Sequence, residues 1–355
     1  YGWMTNENLE DVILGTATDA GAAGIDNVYG WGVINKSKAI KGYGQFSWGQ
    51  TALNVTGGNA YFDNNIFGTG GFNKTGTGQL VLNGDNTYTG ASNVNAGSVV
   101  VNGTNKSSFN VASGAKLVVG DNAKISTGNV VNNGTLVSET TTDLDINGNY
   151  TQSKGGKLQK YVGSKLNVSG VANLNGALEL TGVVDGYVTA TNQNSDVILT
   201  AKGGVVNQFT SASSKNGLLL GKVNYTNNDV SVNVTRGTVA NAVKQEEGFG
   251  NKVAIASEMD EVLSVLDEIH QTTGLTEEQK RVYDELLATS STKALNSKLF
   301  KLDNSLYSKS LYDANIDQLS SDKNLVKNAQ NGDAVWINNK YSHSSSKLSG
   351  TDVTR

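Results

Sequence analysis

GTGGFNKTGTGQLVLNGDNTYTGASNVNAGSVVVNG, residues 68–103, is the stretch whose reading decides the fold. Its short apolar alternations, Leu80–Leu82 and Val99–Val101, are separated by clusters of Gly, Asn, Asp and Thr. That pattern predicts strands a few residues long joined by tight turns. Similar units follow at VASGAKLVVGDNAKI (111–125), VVNNGTLV (130–137) and SKLNVSGVANLNGALELTG (164–182). The period is irregular and roughly 20 residues, the size of one turn of a β-solenoid. A solenoid is an elongated scaffold, so it suggests display or reach before chemistry.

Composition agrees with a ladder. Of 355 residues, 42 are Gly, none is Pro and none is Cys. Proline cannot donate to a strand ladder, and a chain that is mostly ladder tolerates few. Absence of Cys removes disulfides, thiol catalysis and Cys-based metal sites. It also suits a chain that crosses a membrane unfolded, because a premature bridge would jam it. The formal charge is −4, with no basic stripe, which argues against nucleic-acid binding. No apolar run approaches the ~18 residues of a membrane helix.

Outward from the repeat, residues 1–50 read as mixed α/β. Leu9, Val12 and Ile13 recur at helical spacing after the candidate N-caps Thr5 and Asn6. Residues 51–236 are the β region, closing on DVSVNV (229–234), which alternates with period two. Composition shifts near Ala240: residues 246–330 hold 15 of the 32 acidic side chains. Met259, Val262, Leu263, Leu266 and Ile269 form one face of an amphipathic helix that Gly274 should end. Thr276 to Gln279 is a capping box opening a second helix, with Val282, Leu286 and Leu287 on one face. Leu295, Leu299, Leu302 and Leu306 mark a third. AVWINNKY (334–341) returns to a strand pattern, and Trp336 and Tyr341 would suit the aromatic girdle of a membrane barrel.

Candidate chemistry is thin. His270 falls on the polar side of its helix and His343 in a Ser-rich turn, and neither has metal-ligand spacing. Neither has the strand-end setting that a Ser–His–Asp triad requires. Gly76-Thr-Gly78 lacks the rest of a phosphate cradle. Asn83-Gly-Asp85 and Gly120-Asp-Asn122 read as Asx turns between rungs in preference to calcium loops. Asp143 and Asp145 share a strand face, as a glycosidase pair would, but they lack an aromatic platform and read as a solvated face. The expectation is therefore no catalytic, cofactor or metal site within this sequence.

Three stretches resemble one family, the subtilisin-like serine protease autotransporters of Gram-negative bacteria. Residues 1–42, through the helix at Leu9–Leu14, then Thr16-Ala17, Tyr29-Gly-Trp-Gly32 and Ile34-Asn35, look like the C-terminal end of a subtilase catalytic domain. The family's catalytic Asp, His and Gly-Thr-Ser-Met loop would all precede Tyr1. Residues 68–103, from Lys74-Thr-Gly-Thr-Gly78 through Leu80 and Leu82 to Asn86-Thr-Tyr-Thr-Gly90 and Ala96-Gly97, resemble the passenger-associated repeat of autotransporters. To this second stretch residues 196–236 add DVILTAKGG, Phe209 and YTNNDVSVNVTR, similar to the last passenger segment, which in the family helps the passenger fold. Residues 292–341 resemble, more loosely, a linker helix and first barrel strand.

The resemblance implies a right-handed parallel β-helix at 46–240. It would be preceded by an incomplete subtilase end at 1–45 and followed by a helical linker at 241–332 and a barrel start at 333–355. It implies the non-catalytic stalk of a surface-displayed protease anchored at the outer membrane by its own translocator barrel. Partners would be that barrel, the outer-membrane assembly machinery and protein substrates of the missing protease domain. The chain reads as a piece of a larger protein, entering and leaving in mid-pattern. An adhesin that uses the polar Asn/Thr ladders of a β-helix is the alternative. At about 4.8 Å per strand, eight rungs would make a rod of about 40 Å.

Overall fold

The computed structural model describes residues 2–121, 123–125, 128–184, 186–191, 194–244, 252–287, 289 and 291–301. The described chain divides into two compact units. The first comprises residues 1–184, 195–212 and 222–233; the second comprises 185–194, 213–221 and everything from 234 onward.

The first unit is a parallel β-solenoid with three sheets. One stacks eight strands, from Gln50–Asn54 through Gly71–Thr75, Ser92–Val94, Phe109–Val111, Val130–Asn132, Tyr150–Gln152 and Ala172–Asn173 to Val205–Val206. A second stacks Asn59–Phe62, Gln79–Leu82, Ser98–Val101, Lys116–Val119, Thr135–Ser138, Lys157–Val162, Ala177–Val183 and Ser211–Ser214. The third runs from Thr104–Asn105 through Lys124–Ile125, Leu144–Ile146, Leu166–Val168 and Asn194–Ala201 to the hairpin Asp229–Arg236 and Leu219–Tyr225.

Register fixes the period. Phe72 lies beside Ser92, Ser92 beside Phe109, Phe109 beside Val130 and Val130 beside Tyr150. Steps in this sheet are 17–22 residues until Ala172, whose partner is Val205. Eight strands at ~4.8 Å spacing give a stack of about 34 Å, close to the sequence expectation.

Alternation decides what faces the core. Leu80, Leu82, Val99, Val101, Leu117, Leu136, Leu158 and Leu178 are all fully buried in the second sheet. Each inward position therefore sits over its equivalent one rung away, and nearest-neighbour stacking holds the solenoid together. The first rungs also carry an aromatic cluster. Phe46 packs against Tyr43 at 5.1 Å, Phe72 at 5.8 Å and Tyr88 at 5.1 Å between ring centroids, the last edge-on. Such pairs contribute about 0.5–1.5 kcal/mol each beyond their burial.

Residues 1–49 join this unit as helix and loop. Helix α1, Asn6–Gly15, opens on a capping box in which Thr5 Oγ1 accepts from Asn8 N and Asn8 Oδ1 accepts from Thr5 N. Asn8 also donates to Ala52 O at 3.0 Å, tying the helix to the first strand. Helix α2, Lys36–Ala39, is a single turn capped by Asn35. The mixed α/β expectation is met only in part. Among the described residues no strand precedes Gln50, and extended pairing is limited to isolated bridges such as Thr18–Val33 and Asp26–Gly30. Gly30 and Gly32 take positive φ (57° and 95°), which ends strand extension there.

The second unit is helical. It contains α3 (Val239–Lys244), α4 (Lys252–Thr272), α5 (Glu277–Leu287) and α6 (Thr292–Lys301), together with residues from 185–194 and 213–221. Met259, Val262, Leu263, Leu266 and Ile269 of α4 are buried, as their spacing predicts. Gly274, at φ 80°, donates back to Ile269 O and stops the helix. The Thr276–Gln279 box forms in both directions. Leu295 and Leu299 of α6 are buried. Leu302, Leu306, Trp336, Tyr341, His343 and the expected barrel start at 333–355 lie outside the described residues. No described helix is long and apolar enough to cross a membrane.

Candidate docking surface and the core of the repeat

The sequence does not advertise Lys74 as a core residue, yet it is fully buried. It stands two residues after Phe72, in phase with the inward positions of the strand Gly71–Thr75. Its ammonium donates to Thr75 O, Gly76 O and Ala96 O, each at 2.9 Å. One side chain thus satisfies turn carbonyls of two successive rungs, which accounts for a lysine opening the Lys74–Gly78 motif. Burial pushes its pKa down to about 8. Lys160 occupies the equivalent inward phase between Leu158 and Val162. Its Nζ meets Ser164 Oγ at 2.5 Å, and Ser164 passes a hydrogen bond to Thr140 O. Burial lowers Lys160 to about 8, while the Asp143 charge opposes that shift. Period-two phase was the available signal for both lysines.

The rest of the repeat explains itself by stacking. Asn86, almost fully buried, accepts from Ile66 N and donates to Gly84 O. The Tyr88 hydroxyl meets Ser92 Oγ at 2.7 Å and accepts from Asn105 Nδ2 at 3.0 Å. Gly97 has φ 66°, and a Cβ there would run into Gly78 O and lie 2.8 Å from Lys74 Nζ.

The residues weighed for chemistry join rungs instead. Asn83 donates to Asp63 and accepts from Asn102, a three-rung amide ladder. Asp85 takes Asn65 Oδ1 on its amide and offers Oδ1 to Thr104 N. Asp121 accepts from the amide and hydroxyl of Thr141. Asp143 and Asp145 both accept from Asn167 Nδ2, and Asp145 has a long, exposed contact with Lys124 at 3.9 Å. Gly76, with φ 74°, is a turn glycine above Val55 O. His270 is exposed on α4, its ring 4.6 Å from that of Tyr187. Among the described residues no three His, Cys, Asp or Glu side chains gather to hold a metal.

What remains unexplained within unit one is apolar surface. Among the described residues thirteen large hydrophobic side chains are exposed, and eleven of them fall between Leu9 and Phe67. Val28 is 79% exposed, Ile34 69%, Ile25 64% and Phe67 52%. Leu14, Ile25, Trp31 and Phe67, with Asp19 and Lys38, line a groove of about 780 Å³. Trp31 packs tilted against Trp48 beside it, with ring centroids 5.2 Å apart. Isolated exposed hydrophobics are ordinary, but so many within one segment make it a candidate contact surface.

Residues 72–101 match the family described as Passenger-associated-transport-repeat. The chain is 34% identical over 232 residues to the Neisserial autotransporter lipoprotein NalP of Neisseria meningitidis serogroup B, covering 62% of this chain and 21% of that protein. It is 27% identical over 283 residues to an Extracellular serine protease of Serratia marcescens, covering 66% and 27%. It is also 38% identical over 86 residues to Serotype-specific antigen 1 of Mannheimia haemolytica, covering 24% and 9%. The chain thus spans about a fifth to a quarter of the length of the first two relatives.

Proposed function

We propose that this chain, an autotransporter passenger solenoid with its transport repeat at 72–101, is the non-catalytic stalk and folding segment of a surface-displayed, subtilisin-like serine protease. Residues 1–45 are then the last part of the protease domain, 46–240 the passenger, with a folding-assisting end at 196–236. Residues 241–332 connect to a translocator barrel that begins at 333–355. The protein stands at the cell surface, held at the outer membrane through that barrel, and outer-membrane assembly machinery inserts it. The protease acts on protein substrates, and its catalytic residues belong to the domain that residues 1–45 complete.

The observation that carries this reading is the concentration of exposed apolar side chains between Leu9 and Phe67. Eleven such residues lie on helix α1, its following loops and the first rungs, where a domain packed against them would bury them. Complementary apolar surface on a protease body would cover Ile25, Trp31 and Phe67 and fuse the head rigidly to the stalk. Relatives described as serine proteases and an autotransporter lipoprotein support the same assignment. The physical logic of display is vectorial. Residues near the barrel emerge first, and each folded rung templates the next through nearest-neighbour contacts.

Hydrogen–deuterium exchange on this chain and on the full-length protein tests the reading. Amides of 25–34 and 64–68 are expected to exchange at least tenfold more slowly when the protease body is present. Equal exchange in both proteins would remove the protease body as the occupant of this surface.

A further inference from the structure

Three stretches of the second unit that are far apart in sequence converge on two helices. Asp267, near the end of α4, is almost fully buried and accepts four hydrogen bonds. Arg236 Nη1 and Nη2 reach its two oxygens at 2.9 Å each, Tyr187 Oη donates at 2.7 Å and Ala190 N at 3.1 Å. A carboxylate has about four acceptor sites, and all are used here. Arg236 N in turn donates to Thr189 O, which joins two of the stretches. From α5, the Tyr283 hydroxyl accepts from Val188 N at 2.7 Å, and its ring packs tilted against that of Tyr187, centroids 4.2 Å apart. Asn216 Nδ2 donates to Leu287 O at 2.9 Å and so caps the C-terminal end of α5. Its own Oδ1 holds Leu218 N, and Leu218 O accepts from Gly237 N. Finally, Asp260 of α4 accepts from Val239 N and Ala240 N, the first amides of α3.

We infer that α4 and α5 are a folding lock: Asp267 and Tyr283 hold 187–190, Asp267 and Asp260 hold 234–240, and the Leu287 carbonyl holds 216–218 through Asn216. None of the three stretches can satisfy its buried polar groups alone. Arg236 would be left as a buried, uncompensated cation, Val188 N and the first turn of α3 without acceptors. The helices therefore fold together with these three stretches and do not merely follow them in the chain. A chain leaving the cell with its C-terminal end first would deliver the lock before the stretches it fixes. This consequence for secretion rests on the stalk reading, whereas the lock itself does not.

The test uses the full chain with Asp267→Asn and, as a milder change, Tyr283→Phe, read by hydrogen–deuterium exchange. Asp267→Asn is expected to speed exchange of 187–190 and 234–240 at least tenfold while amides of 72–101 are unchanged. Tyr283→Phe is expected to raise exchange at 187–190 with little effect at 260–270. Loss of all three stretches together with α4 would equally support a lock. Unchanged exchange in the three stretches, or faster exchange in α4 and α5 alone, would overturn it. Surface display of the same variants in the full-length protein is scored separately. Normal display of a variant whose lock is open would leave the lock standing and remove its role in secretion.

Discussion

Lys160 offers a quantitative handle on the solenoid core. Its pKa falls from 10.5 to about 8 on burial. Below pH 8 folded and unfolded chains both carry the proton, so the cost of burying the charge is felt in full. Between about 8 and 10.5 the folded chain has released the proton and the unfolded chain still holds it. The unfolded state then binds more protons, and stability rises with pH. Integrating that difference from pH 7 to 9.5 for a 2.5-unit depression gives a gain of about 2 kcal/mol. Lys74 shifts in the same direction and adds to the slope. Above pH 10 the sign reverses, because burial holds the Tyr43, Tyr88 and Tyr150 hydroxyls above their usual value and the unfolded chain ionises first. The expected profile has its maximum between pH 9 and 10. The perturbation is Lys160→Met, which keeps the inward stem and removes the charge. Urea unfolding can be followed by Trp fluorescence, since Trp3, Trp31 and Trp48 all lie in the first unit. The variant is expected to be more stable than the parent at pH 7 by about 2 kcal/mol, with the gap closing by pH 9.5. An offset that stays constant with pH would refute the reasoning, because the lysine would then carry its charge in the folded core throughout.

Two further outcomes follow from the stacking. Gly97→Ala places a side chain at φ 66° against Gly78 O and Lys74 Nζ. It is expected to destabilise the first unit by about 1–3 kcal/mol, read as a shift of the urea midpoint, whereas the exposed and open Gly114 should tolerate Ala with a smaller loss. Val232→Asp with Val234→Asp inserts two charges at fully buried positions of the last hairpin. In the full-length protein the double variant should reach the cell surface more slowly and be more protease-sensitive; normal display with normal resistance would count against rung-by-rung templating.

How much was legible in advance follows the range of the interactions. Leu80, Leu82, Val99 and Val101 show their core positions through period-two alternation, and the turn clusters around Gly76 and Gly97 show where each strand ends. Thr5, Gly274 and the Thr276–Gln279 box mark helix ends because a cap bonds to backbone groups only three to five residues away. Asn83, Asp85 and Asp121 are legible as turn residues, but their partners one rung away are not, since irregular steps of 17–22 residues set which side chains meet. The sparse pairing before Gln50 also ran against the mixed α/β expectation, because positive-φ glycines allow bridges and prevent strands there.

By itself, then, the sequence determined the solenoid repeat, the helices with their buried faces and the passenger-type motif, because each depends on local periodicity and local capping. Tertiary structure alone decided that Lys74 staples two rungs, that apolar surface gathers between Leu9 and Phe67, and that Asp267 binds Arg236 and Tyr187. The physical reason is that a buried charge or an uncovered apolar group is defined by what surrounds it. Those surroundings come from residues 31 and 80 positions away at Asp267, a separation over which no local pattern carries information.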